Sequence, residues 1–100
     1  MKKLVLAAFA TVTLVGTMSA AQADIRTYRT ACAACHAYGA PGPKVGDKVV
    51  WKDRIAKGMD TLYTNAIKGT DKGMPAKGGR MDLTDAQVKA IVDYMVKESK

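Results

Sequence analysis

The stretch Cys32-Ala33-Ala34-Cys35-His36 decides the fold of this chain. Two cysteines three residues apart, followed directly by a histidine, form the attachment signature of c-type haem. Thiols at this spacing near a helix end project to the same side, so each can add to one vinyl group of a haem. His36 would then lie beneath the porphyrin and ligate the iron. The motif predicts covalently bound haem c, with Cys32 and Cys35 as thioether residues and His36 as the proximal iron ligand.

Two other kinds of site also use a Cys-x-x-Cys pair. A redox dithiol usually places a thiol of lowered pKa at a helix N-terminus, whereas this pair falls towards the end of a predicted helix and no βαβ pattern surrounds it. A structural zinc site needs four protein ligands, and the chain has two cysteines and one histidine in all. Both alternatives are therefore weaker than haem attachment.

Residues 1–23 have the features of a secretory signal peptide. Lys2 and Lys3 precede a charge-free apolar run over residues 4–15, and Ala21 and Ala23 supply small side chains before a cleavage site. A run of 12 residues is too short for a bilayer core, which takes roughly 20. We expect a periplasmic protein with no membrane span after processing, consisting of one domain over residues 24–100.

The processed chain would have 77 residues and a net charge of +5, because two of the 16 basic residues leave with the peptide and all nine acidic residues stay. A core of this size rarely supplies more than about 3–5 kcal/mol, so an additional staple is expected. Cys32 and Cys35 are too close in sequence for a disulfide to contribute much. A covalently attached haem would supply the missing apolar surface.

The remaining pattern is helical, with no alternation typical of strands, and predicts an all-α fold of several short helices packed around one covalently bound haem. Asp24 and Asp60 are predicted helix caps, a short helix is predicted from Asp47 to Lys57, and residues 69–81 are predicted to form a long exposed loop. The last helix has the clearest signal: Thr84 and Gln87 form a capping box. Apolar residues behind it follow the helical period: Val88, Ile91, Val92, Met95 and Val96.

The second axial ligand is predicted to be a methionine. The chain has no second histidine, and a lysine would have to lose its proton first. Methionine with histidine is the ligand pair typical of electron-transfer haems. The processed chain offers Met59, Met74, Met81 and Met95. Met74 is favoured because it lies in the glycine-rich loop and Pro75 stiffens the backbone beside it, whereas Met95 lies on the apolar stripe of the last helix.

Several ordered motifs resemble class I c-type cytochromes of the cytochrome c₅ kind, and the resemblance covers nearly all of residues 24–100. They are Cys32-Ala-Ala-Cys-His36, Pro43-Lys44-Val45-Gly46-Asp47, Trp51-Lys-Asp-Arg54, Gly58 and Met74-Pro75-Ala76-Lys77-Gly78-Gly79. The resemblance implies the small class I cytochrome c fold, with crossing N- and C-terminal helices and Tyr28 packed near Tyr94. The cysteine pair common in cytochromes c₅ after the Lys-Gly-Gly is replaced here, where Arg80 and Leu83 occupy the stretch.

The resemblance also implies further contacts of the haem. A loop proline carbonyl would hold the second ring nitrogen of His36; Pro43 matches best, with Pro41 as the alternative. Trp51 and Arg54 would approach the haem propionates, although Trp51 could equally be a core residue and Arg54 a solvated charge.

These features together predict an electron carrier, not an enzyme, whose iron cycles between Fe(III) and Fe(II) to shuttle electrons between respiratory partners. The competing hypotheses are a haem enzyme or gas sensor with an open iron site, and a module of a larger complex. Basic residues would steer a redox protein with an acidic face, such as a quinol-oxidising membrane complex, a terminal oxidase or a periplasmic reductase. Binding to nucleic acid is not expected of an exported chain. The basic residues that would form a positive rim around the haem, the predicted basic rim, are Lys44, Lys48, Lys57, Lys68, Lys72, Lys77 and Arg80.

Overall fold

The computed structural model describes residues 20–39 and 41–100, and within these ranges all regular secondary structure is helical, with no strand. This confirms the predicted all-α fold class. A short 3₁₀ segment, Ala76–Gly79, precedes the last helix. The α-helices are α1 (Ala20–Ala31), α2 (Ala33–His36), α3 (Lys48–Ala56), α4 (Met59–Lys68) and α5 (Asp85–Glu98).

Helix α1 begins earlier than predicted, since it starts at Ala20 and Asp24 lies inside it instead of capping it. Residues 20–23 are three alanines and a glutamine, which are strong helix formers and extend the helix towards the N-terminus. The rest of the predicted signal peptide, residues 1–19, lies outside the described residues. Among the helices that the structure describes, none has the length and hydropathy needed to cross a bilayer.

Helices α3 and α4 differ in how they begin. Asp47, the predicted first residue of this helix, caps α3 and accepts hydrogen bonds from the backbone N–H groups of Val49 and Val50, each 3.2 Å long. The prediction that Asp60 caps α4 is wrong. Helix α4 starts one residue earlier, at Met59, with Gly58 at the cap position, and Asp60 lies in the first turn. An acidic side chain there still interacts favourably with the helix dipole.

Helix α5 confirms its sequence signal. The hydroxyl of Thr84 accepts from the backbone N–H of Gln87 at 3.1 Å, and the Gln87 amide oxygen accepts from the backbone N–H of Thr84 at 2.8 Å. All five residues of the predicted stripe are buried: Val88, Ile91, Val92, Met95 and Val96.

The core forms where α1 and α4 both pack against α5. The rings of Tyr28 and Tyr94 lie 5.3 Å apart, centroid to centroid, at an angle of 56°, which confirms the predicted contact between the terminal helices. A tilted aromatic pair of this kind contributes about 0.5–1.5 kcal/mol beyond the area it buries. The helices leave two long connections, residues 37–47 (the His36 loop) and residues 69–84 (the Met74 loop), and these carry the site.

Candidate haem site

His36 lies at the end of α2 and is buried, with 7% of its surface exposed. Its Nδ1 atom lies 2.9 Å from the carbonyl oxygen of Pro43. Because a carbonyl can only accept, Nδ1 must carry the proton in this bond, so Nε2 is the nitrogen that a neutral ring would offer to a metal. A neutral imidazole with a free Nε2 is the form that ligates a metal, and the bond at Nδ1 fixes the orientation of the ring.

The His36 loop returns across α2 through two backbone hydrogen bonds. The N–H of Gly42 donates to the carbonyl of Cys35 at 3.2 Å, and the N–H of Val45 donates to the carbonyl of His36 at 2.9 Å. Between these two anchors the chain directs the carbonyl of Pro43 at the imidazole. The sequence left Pro41 and Pro43 open as partners, and the hydrogen bond in the structure is to Pro43.

The backbone at Gly42 passes very close to the imidazole of His36. A Cβ atom added to it would lie 2.7 Å from Cε1 of His36 and 2.9 Å from Nδ1, distances that contacts of real Cβ atoms essentially never reach. Only a glycine therefore lets the loop pass so near the ring. The sequence analysis missed this residue, although its position between two prolines, Pro41 and Pro43, was a signal that the backbone here is specialised.

Trp51 packs behind the histidine. It is buried, its ring centroid lies 6.4 Å from that of His36, and its indole N–H donates to the carbonyl of Lys44 at 2.9 Å. This hydrogen bond uses the only donor of the side chain. The hydrogen bond braces the His36 loop, and the propionate contact suggested for Trp51 stays a prediction.

Arg54, the other residue suggested for the propionates, lies on the exposed side of α3. Its Nη1 donates to the carbonyl of Val50 in the preceding turn at 2.7 Å. The structure does not bring Arg54 together with His36. Its remaining guanidinium donors are still available, so a propionate contact through Arg54 stays a prediction.

Ser99 ties the His36 loop to the far end of the molecule. The side chain is 1% exposed; its hydroxyl accepts from the backbone N–H of Gly46 at 3.0 Å and donates to the carbonyl of Met95 at 2.6 Å. The loop is therefore anchored to the last turn of α5. A serine next to the C-terminal residue carries no sequence pattern that could have predicted this role.

The two cysteines are free thiols, both half-buried. Burial, and to a lesser degree the charge of Cys35, raise the pKa of the Cys32 thiol. Redox-active dithiols depend on a thiol whose pKa is lowered, so the environment of Cys32 argues against that alternative. In residues 20–39 and 41–100, no three His, Cys, Asp or Glu side chains are grouped so that they could hold a metal ion.

The four candidate methionines occupy different environments. Met95 is buried in the core between the helices, and Met81 is 68% exposed. Met59 is half-buried at the start of α4. Met74 is also half-buried, packs against the core and belongs to a tight turn, in which the N–H of Thr70 donates to the carbonyl of Met74 at 2.9 Å.

The Met74 loop is less exposed than the sequence analysis expected. It passes directly against the segment before the haem motif, because a Cβ on Gly78 would lie only 2.7 Å from the carbonyl oxygen of Ala31. Ala31 immediately precedes Cys32. The fold therefore brings the loop that carries Met74 next to the helix end that carries the cysteines, although they are about 40 residues apart in sequence.

These residues fit a covalently bound haem. Cys32 at the N-cap position of α2 and Cys35 within α2 are unpaired thiols, and His36 offers Nε2 from a ring held by Pro43. Met74 supplies a soft thioether from the neighbouring loop, as the histidine–methionine pair requires.

Two members of the predicted basic rim are already paired. The Lys77 ammonium lies 2.9 Å from a carboxylate oxygen of Asp85, and Arg80 forms a two-pronged ion pair with Asp82, which lowers the pKa of that carboxyl. The other rim residues are exposed and take part in neither of the two ion pairs found among the described residues: Lys44, Lys48, Lys57, Lys68 and Lys72.

Comparison with known families and proteins finds cytochromes. The family model described as cytochrome C oxidase, cbb3-type, subunit III matches residues 19–95. Cytochrome c-555 of Chlorobaculum tepidum is 55% identical over 84 residues, covering 80% of this chain and 78% of that protein. Cytochrome c5 of Ectopseudomonas mendocina is 37% identical over 67 residues, covering 64% of this chain and 76% of that protein.

A solved structure also matches this fold over most of the chain. It is described as the crystal structure of an electron transfer complex of nitrite reductase with cytochrome c. The match has a TM-score of 0.72 and 39% sequence identity, and it covers 78% of this chain and 95% of the other.

Proposed function

The chain belongs to the monohaem class I c-type cytochromes, a family of electron carriers, and we propose that it carries single electrons between respiratory redox proteins in the periplasm. Membership of the family implies one covalently bound haem c. The predicted signal peptide over residues 1–23 supports an exported protein. The observation that carries the proposal is the hydrogen bond from Nδ1 of His36 to Pro43, which presents Nε2 for an axial position.

Four side chains would hold the cofactor. Cys32 and Cys35 would each form a thioether bond, as the S–H of the thiol adds across a vinyl double bond of haem. His36 would ligate the iron through Nε2, and Met74 would ligate it through its thioether sulfur. The half-buried position of Met74 supports this choice over Met81, whose side chain is largely in solvent.

The bound haem supplies one-electron chemistry at its iron, and the protein sets the conditions for it. The Pro43 carbonyl makes the imidazole of His36 more electron-donating, which favours Fe(III). The buried ring of Trp51 keeps water from the side of the histidine. If His36 and Met74 both ligate the iron, the chain would leave no iron position for a substrate, so the protein would exchange electrons without binding one.

The exposed lysines support a partner with an acidic face. Lys44 lies in the His36 loop, Lys72 in the Met74 loop and Lys68 at the end of α4, and all three are exposed. Positive charge around the haem loops would speed the encounter with an acidic redox protein, and salt would screen this effect. Lys77 and Arg80 add less positive charge to this surface, because Asp85 and Asp82 pair with them.

Carbon monoxide binding to the reduced, haem-loaded protein tests the proposal. Carbon monoxide needs a free position on Fe(II), so the wild type should not bind it, whereas Met74→Ala should bind it readily. A redox titration of the wild type should fit a single reversible one-electron step. Rapid carbon monoxide binding by the wild type would instead support the haem enzyme or gas sensor.

A further inference from the structure

Lys77 has an unusual backbone conformation. It is the only non-glycine residue in residues 20–39 and 41–100 with a positive φ, with φ at 53° and ψ at 27°. Side chains rarely adopt this left-handed conformation because Cβ crowds the backbone. A backbone held in such a conformation is often found where the surrounding contacts impose it for a functional reason.

The side chain of Lys77 is mostly buried and makes a hydrogen bond and an ion pair. It is only 14% exposed, whereas the other lysines of the predicted basic rim are exposed. Its ammonium donates to the carbonyl oxygen of Leu83 at 2.7 Å and lies 2.9 Å from Oδ1 of Asp85. Leu83 is buried in the core and Asp85 is the first residue of α5. The ammonium therefore joins the Met74 loop to the start of the helix that organises the core.

Short backbone contacts connect this anchor to Met74. The N–H of Gly78 donates to the carbonyl of Pro75 at 3.1 Å, so the turn that contains Lys77 closes on the residue next to Met74. On its other side the N–H of Arg80 donates to the carbonyl of Lys77 at 3.0 Å. A displacement of Met74 away from the haem would have to move this turn, and with it the ammonium of Lys77.

We infer that Lys77 is a positioning residue for Met74: by binding Leu83 and Asp85, its ammonium keeps the Met74 thioether on the haem iron. The inference rests on the proposed function, in which Met74 is the second axial ligand. An external ligand that replaces Met74 must move the loop and break or distort the contacts of Lys77. Without the contacts of Lys77, an external ligand displaces Met74 from the iron more easily, while the rest of the fold is retained.

The test is an imidazole titration of the oxidised, haem-loaded protein. Binding is measured from the loss of the sulfur-to-iron charge-transfer band. Lys77→Gln should bind imidazole about tenfold more tightly than the wild type, equivalent to about 1.4 kcal/mol. Lys72→Gln is the matched control, since Lys72 is an exposed lysine of the same loop, and its imidazole affinity should stay within about twofold of the wild type. Lys77→Arg, which keeps a charged donor, should recover most of the wild-type value.

Three further results separate the possible outcomes. If Lys77 only stabilises the fold, Lys77→Gln will unfold at a lower denaturant concentration with unchanged imidazole affinity, and the inference is overturned. If Lys77→Gln does not accumulate, Asp85→Asn keeps the Leu83 hydrogen bond and should tighten imidazole binding about twofold; no tightening would overturn the inference. If the wild type lacks the charge-transfer band, or Met74→Ala keeps it, the proposed function itself fails.

Discussion

Replacement of Gly42 by alanine should disturb the histidine side of the haem. The new Cβ would lie 2.7 Å from Cε1 of His36, whereas ordinary contacts begin at 3.4 Å, so the ring or the loop must move by about 0.7 Å. A shift of that size would lengthen the 2.9 Å bond between Nδ1 and Pro43 to about 3.6 Å, beyond the range of a hydrogen bond. The substitution therefore acts on both packing and the imidazole.

The expected loss of stability follows from these two effects. Overpacking costs about 1–3 kcal/mol and loss of the hydrogen bond about 1 kcal/mol, so the free energy of unfolding should fall by about 3 kcal/mol. For a domain of this size, the melting temperature would decrease by about 10–20 °C. Urea unfolding of the loaded protein, followed by the absorbance of the haem, measures the change.

The reduction potential separates the effect on His36 from general destabilisation. A weaker bond to Pro43 makes the imidazole a poorer electron donor and destabilises Fe(III). If about 0.7 kcal/mol of the bond is specific for Fe(III), the potential rises by ~30 mV, because 59 mV corresponds to a tenfold change. Gly46→Ala is the control: it lies in the same loop at φ +93° with nothing within 4 Å of the added Cβ. It should lose stability without a change in potential, and an unchanged potential and stability in Gly42→Ala would refute the reasoning.

Two other substitutions test the supports of the site. Ser99→Ala leaves the N–H of Gly46 without its partner and should lower the free energy of unfolding by about 1–2 kcal/mol in urea, whereas Thr30→Ala, which removes an exposed hydroxyl, should change it by less than about 0.5 kcal/mol. Burial, with a contribution from Tyr94, raises the pKa of Tyr28, so the folded protein holds this proton more tightly than the unfolded chain. Stability from this group is present below pH ~10 and lost as the pH rises through the folded pKa; Tyr28→Phe should therefore lose less stability between pH 9 and pH 11, and equal losses would contradict the assignment.

Local patterns predicted the parts of the fold that depend on neighbouring residues. The capping box of Thr84 and Gln87 and the apolar stripe behind it fixed α5, because both signals follow the helical period. The helix predicted to begin at Asp47 is α3, which Asp47 caps. The cap of α4 was assigned to Asp60, since the sequence gives no sign that Gly58 lies at the cap position instead.

Contacts between distant segments were beyond the sequence. The motif identified the cysteines and His36, but only the path of the returning loop distinguishes Pro43 from Pro41. Lys77 was assigned to a solvated rim, and its partners appear only when the loop folds back on α5. Ser99 contacts the His36 loop at Gly46, which lies 53 residues earlier in the chain.

Absorption spectra of a set of methionine variants test the central claim most directly. The oxidised, haem-loaded wild type should be low-spin and have a sulfur-to-iron charge-transfer band. The band should disappear in Met74→Ala and remain in Met81→Ala, because Met81 is exposed. A high-spin wild type without the band, or a band that survives in Met74→Ala, would contradict an electron carrier whose haem iron is ligated by His36 and Met74.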